Sequence, residues 1–325
     1  MTDLVVGNWG DGRGLRPHGA SRIEWARGAS AMILACLAGC AGTGDAPPPF
    51  DERQAAQAVF LVHDELFSIR LDGTDRRSLG IVGDNKWRTG WPRRLPDGRA
   101  AVLGDDAGAI FPYYEMGGRI LRLSGENVTL NDSLCGVTVG GEPRMVITTT
   151  PFVPTRTAVQ RVNLDDPAPE LMHLERFGLI AHPAPYADGQ VVAARYSPAG
   201  TQIVVLDVAR SRATSSAPQA LAFVDPPYFG ASPARLADGR VIFLRLDSRQ
   251  DTDLQPGDVW IVEADGTTRP VGLDGVINLI VIGDRVVYET VGPHGFTDVM
   301  ASNLVDPPVN VTATPYVSEH LGWSD

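Results

Sequence analysis

The chain has 325 residues, 43% of them apolar and 21% charged, with 35 glycines and 25 prolines. That balance excludes a disordered chain and suits short strands separated by many turns. A formal net charge of −11 argues against a nucleic-acid binder, which needs a basic face.

Residues 1–21 show no periodicity. Arg22 and Arg27 then precede an apolar run over 29–40, the grammar of an export signal. The run is shorter than the roughly 20 apolar residues that a membrane-spanning helix needs. Its end, Leu37-Ala-Gly-Cys40, resembles the lipobox of bacterial lipoproteins. The resemblance implies cleavage before Cys40 and acylation of its thiol; the polar residues ahead of Arg22, unusual before a signal peptide, point to a start downstream of Met1. Residues 1–40 are therefore read as signal peptide and lipobox, and 41–54 as a tether that stiffens at Pro47-Pro-Pro49. The expected address is the bacterial cell envelope, lipid-anchored and facing the periplasm or the surface. Ala41 after the cysteine resembles outer-membrane sorting rather than inner.

From about residue 55 the pattern is β throughout, and it repeats. Trp91-Pro-Arg-Arg-Leu-Pro-Asp-Gly98, His182-Pro-Ala-Pro-Tyr-Ala-Asp-Gly189 and Ser232-Pro-Ala-Arg-Leu-Ala-Asp-Gly239 each place a proline five residues before an Asp-Gly pair. Asp-Gly between apolar runs predicts a hairpin, because glycine accepts the positive φ of a tight turn. Degenerate copies turn at Gly140-Gly141 and at Gly283-Asp284. A second element, an apolar strand running into a small or acidic turn, recurs at 66–74, 119–126, 159–165, 202–207, 258–266 and 298–306. Anchored on Leu71, Leu123, Leu164, Leu206, Ala264 and Val305, the steps are 52, 41, 42, 58 and 41 residues. A period near 40–50 with several strands per unit predicts a β-propeller. The two long steps are assigned to insertions at 105–118 and 247–257.

The expected fold is all-β, one six-bladed β-propeller over 55–325. The first unit lacks the opening that the other copies have, and the chain ends on Leu321-Gly-Trp-Ser-Asp325, which looks like Gly90-Trp-Pro-Arg93. The C-terminal strand is therefore expected to join the N-terminal blade and close the ring. Ser197-Pro-Ala-Gly-Thr-Gln-Ile-Val-Val205 and the Pro-to-Asp-Gly repeats resemble those of the TolB-like propellers. That resemblance implies an envelope propeller that binds proteins. The periplasmic Tol component has an extra α/β domain, so its particular partner is not carried over.

Chemistry-bearing patterns are few. Cys36, Cys40 and Cys135 leave one cysteine in the folded part, read as a small buried hydrophobe without a disulfide. There is no Gly-x-Ser-x-Gly elbow, which argues against a serine hydrolase. The stretch 247–258 carries Asp247, Asp251, Asp253 and Asp258 but lacks EF-hand spacing, so it is read as a solvated loop. No cofactor and no metal are expected. The loops that lead into the innermost strands bring Trp87, Arg88, Tyr228, Phe229 and His320 to one mouth. This is the expected binding surface for an envelope protein or peptide, with the opposite mouth built from short polar turns. The same aromatic residues would also serve to pack between blades. A further apolar stretch, 109–116, either folds over its own blade or touches a partner. The expectation is a monomeric, non-catalytic binding platform. The alternatives are a lactonase-type propeller enzyme, its axial metal held by groups such as Asp225, Asn278 and Glu319, and a carbohydrate-binding or sensor module.

Overall fold

The computed structural model describes residues 57–62, 65–81, 92–103, 107–111, 119–122, 129–151, 157–164, 169–175, 178–210, 217–249, 256–292 and 297–312. Every regular element among them is a strand, and among these described residues no helix is long and apolar enough to cross a membrane. The first sheet has three strands, β1 (Gln57–Val62), β2 (Glu65–Arg70) and β3 (Arg77–Ile81). The second contains β4 (Arg93–Arg94), β5 (Ala100–Leu103), β6 (Ala107–Phe111) and β7 (Arg119–Arg122). The third contains β8 (Thr129–Val139), β9 (Glu142–Pro151), β10 (Thr157–Asn163) and β11 (Pro169–Glu175). The fourth contains β12 (Leu179–Ala187), β13 (Gln190–Ser197), β14 (Gly200–Asp207) and β15 (Gln219–Val224). The fifth contains β16 (Tyr228–Arg235), β17 (Val241–Asp247), β18 (Asp258–Val262) and β19 (Thr268–Pro270). The last contains β20 (Val276–Ile282), β21 (Arg285–Val291), β22 (Thr297–Ser302) and β23 (Val309–Asn310). Each is an antiparallel meander in chain order, and five of them are complete four-stranded blades of a β-propeller.

Burial follows from sheets stacked face to face. A middle strand is covered on both faces, so it reads as a continuous apolar run: Val191, Val192, Ala193 and Ala194 of β13 are all fully buried. The outermost strand of the same blade is covered less, and β15 shows exposed residues between buried ones. Each apolar core lies between two consecutive sheets. Leu95, Ala101, Leu134 and Met145 join the second sheet to the third. Cys135, Val146, Ile180 and Val204 join the third to the fourth, and Ile203, Val224 and Phe243 the fourth to the fifth. Leu244, Ile261, Leu279 and Tyr288 join the fifth to the last. Val59, Leu66 and Val102 join the first to the second. Finally, Ala58, Phe60, Val287 and Val299 bring the first and last sheets into one core. Burying one such large side chain contributes roughly 1.5–3 kcal/mol.

The Asp-Gly turns have a common geometry. At Leu95-Pro96-Asp97-Gly98-Arg99 the Gly98 N–H donates to the Leu95 carbonyl, and the Leu95 N–H to that of Arg99. Leu236 to Arg240 repeats both bonds, and Gly98 and Gly239 have φ of 89° and 91°. This is a type I turn closed by a left-handed residue, for which glycine has no Cβ penalty. The aspartate adds a lock: Asp97 accepts from the Arg99 N–H and guanidinium, and Asp238 does the same for Arg240.

Two sequence assignments are corrected. Residues 119–126 are expected to be a copy of the second recurring element, which in the third to last sheets forms the third strand, with 105–118 inserted before it. Arg119–Arg122 is instead the fourth strand, and Ala107–Phe111 is the third, pairing with β5 and β7. The first 52-residue step therefore compares two different strands. For the same reason Ala109, Ile110 and Phe111 belong to a paired strand rather than to a projecting loop; 112–116 lie outside the described residues.

Candidate functional site

The innermost strands β4, β8, β12, β16 and β20 surround one lumen, which Gln57 and Val59 of β1 also reach. Four of these strands carry a bulge at the same level. One extra residue is inserted between Asn131 and Ser133, between Ala181 and Ala184, between Ala231 and Ala234, and between Val276 and Asn278. In β12 and β16 the bulge holds Pro183 and Pro233, whose missing N–H suits a position without a ladder bond. The preceding residues, His182 and Ser232, have φ of 55° and 45°, the left-handed region that costs a non-glycine residue about 1–2 kcal/mol.

The bulges redirect polar groups from blade to blade. The His182 N–H donates to Ser133 Oγ at 2.8 Å, and Ser133 Oγ shares a hydrogen bond with Thr148 Oγ1 at 2.9 Å. The Ser232 hydroxyl donates to Asn278 Oδ1 at 3.2 Å, and Asn278 is fully buried. These bonds, one set linking the third blade to the fourth and the other the fifth to the last, form a partial polar girdle beside the lumen. Glu289, opposite Asn278 on β21, is buried at the same level.

Arg93 enters the lumen from β4. Burial lowers its pKa to about 10, opposed by Cys135 where that thiol ionises and by the Glu289 charge, so the guanidinium stays protonated at neutral pH. Burial, together with the Arg93 charge, lowers His182 to about 4 and leaves its imidazole neutral there. Burial pushes the Cys135 thiol up to about 12, with Arg93 opposing. Cys135 is 1% exposed, and a thiol held in its protonated form is a poor nucleophile.

Of the residues expected at the binding mouth, Trp87, Arg88 and His320 lie outside the described residues, as does Cys40. Tyr228 and Phe229 begin β16, side by side and half-buried, each with packing partners. The Arg245 guanidinium lies 3.7 Å from the Tyr228 ring centre and 4.2 Å from that of Trp260. Phe229 meets Tyr196 edge-on at 6.3 Å, and Tyr196 meets His182 at 6.4 Å. Phe229 thus belongs to a row of rings between the fourth and fifth blades.

The groups considered for an axial metal are not alike in placement. Asn278 is inside the girdle, Asp225 is exposed where the chain approaches β16, and Glu319 lies outside the described residues. In the acidic stretch, Asp251 and Asp253 also lie outside them. Asp247 is engaged by Arg249, whose guanidinium and backbone N–H bring its pKa down to about 2. Among the described residues, no three His, Cys, Asp or Glu side chains stand close enough to hold a metal ion.

The repeated bulge and the girdle were not foreseen from the sequence. Their signal was nevertheless present: a Ser-Pro or His-Pro pair inside a strand, at a fixed distance from Asp-Gly.

No family of known proteins and no curated protein matches the sequence. Solved structures do resemble it in shape. The putative TolB from Agrobacterium tumefaciens superposes with a TM-score of 0.56 at 12% identity, over 77% of this chain and 89% of that one. An oligogalacturonate lyase in complex with manganese gives 0.51 at 11% identity, over 80% and 74%. Kuenenia stuttgartiensis hydrazine synthase gives 0.57 at 10% identity, over 80% of this chain but only 43% of its own. At such identities the likeness shows the propeller fold alone.

Proposed function

We propose that this chain is a lipid-anchored, non-catalytic propeller of the bacterial envelope that docks a protein or peptide on the mouth where its innermost strands begin. The carrying observation is exposed apolar side chains from three blades at that end, whereas those exposed at the other end, Val305 and Val309, come from the last blade alone. Leu179, Phe223 and Val291 are 41%, 43% and 47% exposed. Leu179 opens β12, Phe223 is one residue from the end of β15, and Val291 closes β21. By strand direction all three lie at the end where Tyr228 and Phe229 start β16. Exposed apolar side chains from several blades at one end suit a docking surface, in which Trp87, Arg88, Tyr228 and His320 would supply anchors and rim.

Six blades are the natural reading of six sheets joined by six shared cores. In the other sheets the lumen is lined by the first of four strands, whereas in the first sheet it is reached by β1 of three. Among the described residues the first sheet has no strand inward of β1, which supports closure by the segment around Leu321 and Trp323. The lipobox supports anchoring through Cys40.

The test pairs partner capture from an envelope extract with thermal unfolding. Replacing two of the three exposed residues, Leu179→Ser with Phe223→Ser, should lower capture while leaving the melting temperature near the wild-type value. Trp87→Ala with Tyr228→Ala should cost about 2 kcal/mol or more in affinity if both are anchors. Undiminished capture by both double variants would overturn the docking face.

A further inference from the structure

Charge is divided unevenly between the two ends of the later blades. From residue 219 onward the chain has six arginines and no lysine. Arg235, Arg240, Arg269 and Arg285 lie toward the hairpin-turn end, where Arg240 pairs with Asp238, Arg269 with Glu263 and Arg285 with Asp284. Only Arg245 and Arg249 lie toward the mouth where the innermost strands begin. By strand direction that mouth also holds Asp225, Asp247, Asp258, Asp274 and Asp298.

Two of these acids have a cation to offset them. Asp247 is paired with Arg249 at 2.6 Å. Arg245, between the Tyr228 and Trp260 rings, stands in register with Asp258 and balances one carboxylate. Among the described residues no hydrogen bond or ion pair engages Asp225, Asp258, Asp274 or Asp298. Glu289 is buried and acts on Arg93, so its charge does not reach this surface. Four carboxylates therefore stand against one guanidinium.

These acids border the exposed apolar side chains. Asp225 is two residues past Phe223. Gly257 and Val276 exchange backbone hydrogen bonds of 2.8 and 2.9 Å, which brings Asp258 alongside the approach to β20 that carries Asp274. The Thr290 hydroxyl donates to the Gly275 carbonyl at 3.0 Å, and Thr290 is in register with Asp298, next to exposed Val291. The carboxylates are spread out rather than focused on one point: among the described residues no three such groups could share a metal ion.

We infer that this face takes a cationic partner, a lysine- or arginine-bearing segment of protein whose apolar side chains seat on Phe223 and Val291. The inference rests on the docking reading above and adds the chemistry of the partner. Complementary charge speeds encounter and selects among partners, and like charge at an interface repels the wrong ones. An anionic occupant, a phospholipid surface among them, would meet repulsion here.

The test measures binding of two short labelled peptides to the full chain by fluorescence anisotropy. One alternates lysine with leucine and phenylalanine; in the other, glutamate replaces lysine. The lysine peptide should bind saturably and more weakly as salt shortens the screening length. The glutamate peptide should bind at least about tenfold more weakly than the lysine peptide. Asp225→Asn with Asp274→Asn should weaken the lysine peptide roughly fivefold or more, the combined effect of two exposed charge pairs. Glu142→Gln with Asp284→Asn removes the same charge from exposed positions at the turn end and should not. Equal affinity for the two peptides, binding of neither, or equal weakening by the turn-end pair overturns the inference. Leu179→Ser with Phe223→Ser separates this failure from failure of the docking face. Equal binding of both peptides that this variant abolishes leaves the face standing with a different partner chemistry. Lysine-peptide binding that survives it intact removes the face and the inference together.

Discussion

The carboxylate of Asp188 accepts the backbone N–H of Gly140 at 2.9 Å, tying the inner turn of the fourth blade to the inner turn of the third. The same carboxylate accepts the Gly141 N–H at 3.2 Å, and the Gly189 N–H donates to the Thr138 carbonyl at 2.7 Å. Asp97 and Asp238 close their own hairpins, whereas Asp188 serves its neighbour's. A change of one residue in turn length sends the same side chain to a different partner.

Those N–H bonds hold the Asp188 pKa below its ordinary value. A carboxylate with a depressed folded pKa stabilises the fold above its unfolded pKa, and that contribution is lost as pH falls through the folded pKa. Asp188→Asn should therefore melt slightly lower than wild type at pH 7. The gap should close as both are acidified below pH 4, as followed by thermal unfolding across that range.

His182 acts in a different window. Its imidazole is held neutral with a pKa of about 4, against 6.5 for the free side chain. The unfolded chain takes up the proton first as pH falls, so stability should drop between pH 6.5 and 4. His182→Asn should flatten this limb of the pH–stability curve. An unchanged slope would place His182 in contact with bulk water.

Gly136 marks the tightest approach between two innermost segments. A Cβ there would meet Pro96 Cδ at 2.7 Å and the Leu95 Cα at 2.9 Å, and the latter is backbone that cannot rotate away. Gly136→Ala should cost about 1–3 kcal/mol through overpacking. At roughly 2–4 °C per kcal/mol, the loss is readable by calorimetry.

Deleting residues 319–325 tests ring closure. Burial of Leu321 and Trp323 against the first sheet would contribute roughly 3–6 kcal/mol, so the truncated chain should melt far lower or precipitate. A melting temperature equal to that of the full chain would remove the closing strand from the account.

Cys40→Ser tests the anchor. The variant should leave the membrane fraction or accumulate unprocessed, and intact-mass analysis of the wild type should find acyl mass on Cys40. Absence of that mass would show that the lipobox is not used.

The sequence by itself determined the class and the cadence: Asp-Gly turns, prolines five residues ahead of them and apolar runs recurring every 40–50 residues. Those are local signals, because a turn needs a left-handed glycine and a middle strand needs two apolar faces wherever it lies. The count of strands within one unit was less legible. Residues 107–111, Ala-Gly-Ala-Ile-Phe, look like part of an insertion until β5 and β7 pair with them, since short weakly apolar strands are specified by their neighbours. Only the tertiary structure decided what fills the lumen. It takes four separate stretches of chain to bring Arg93, His182, Ser232 and Asn278 together, and no spacing within any single stretch encodes that meeting. It also showed that the short polar turns frame a cavity lined by Arg93, Arg94 and Arg235, which stand just before two of those turns.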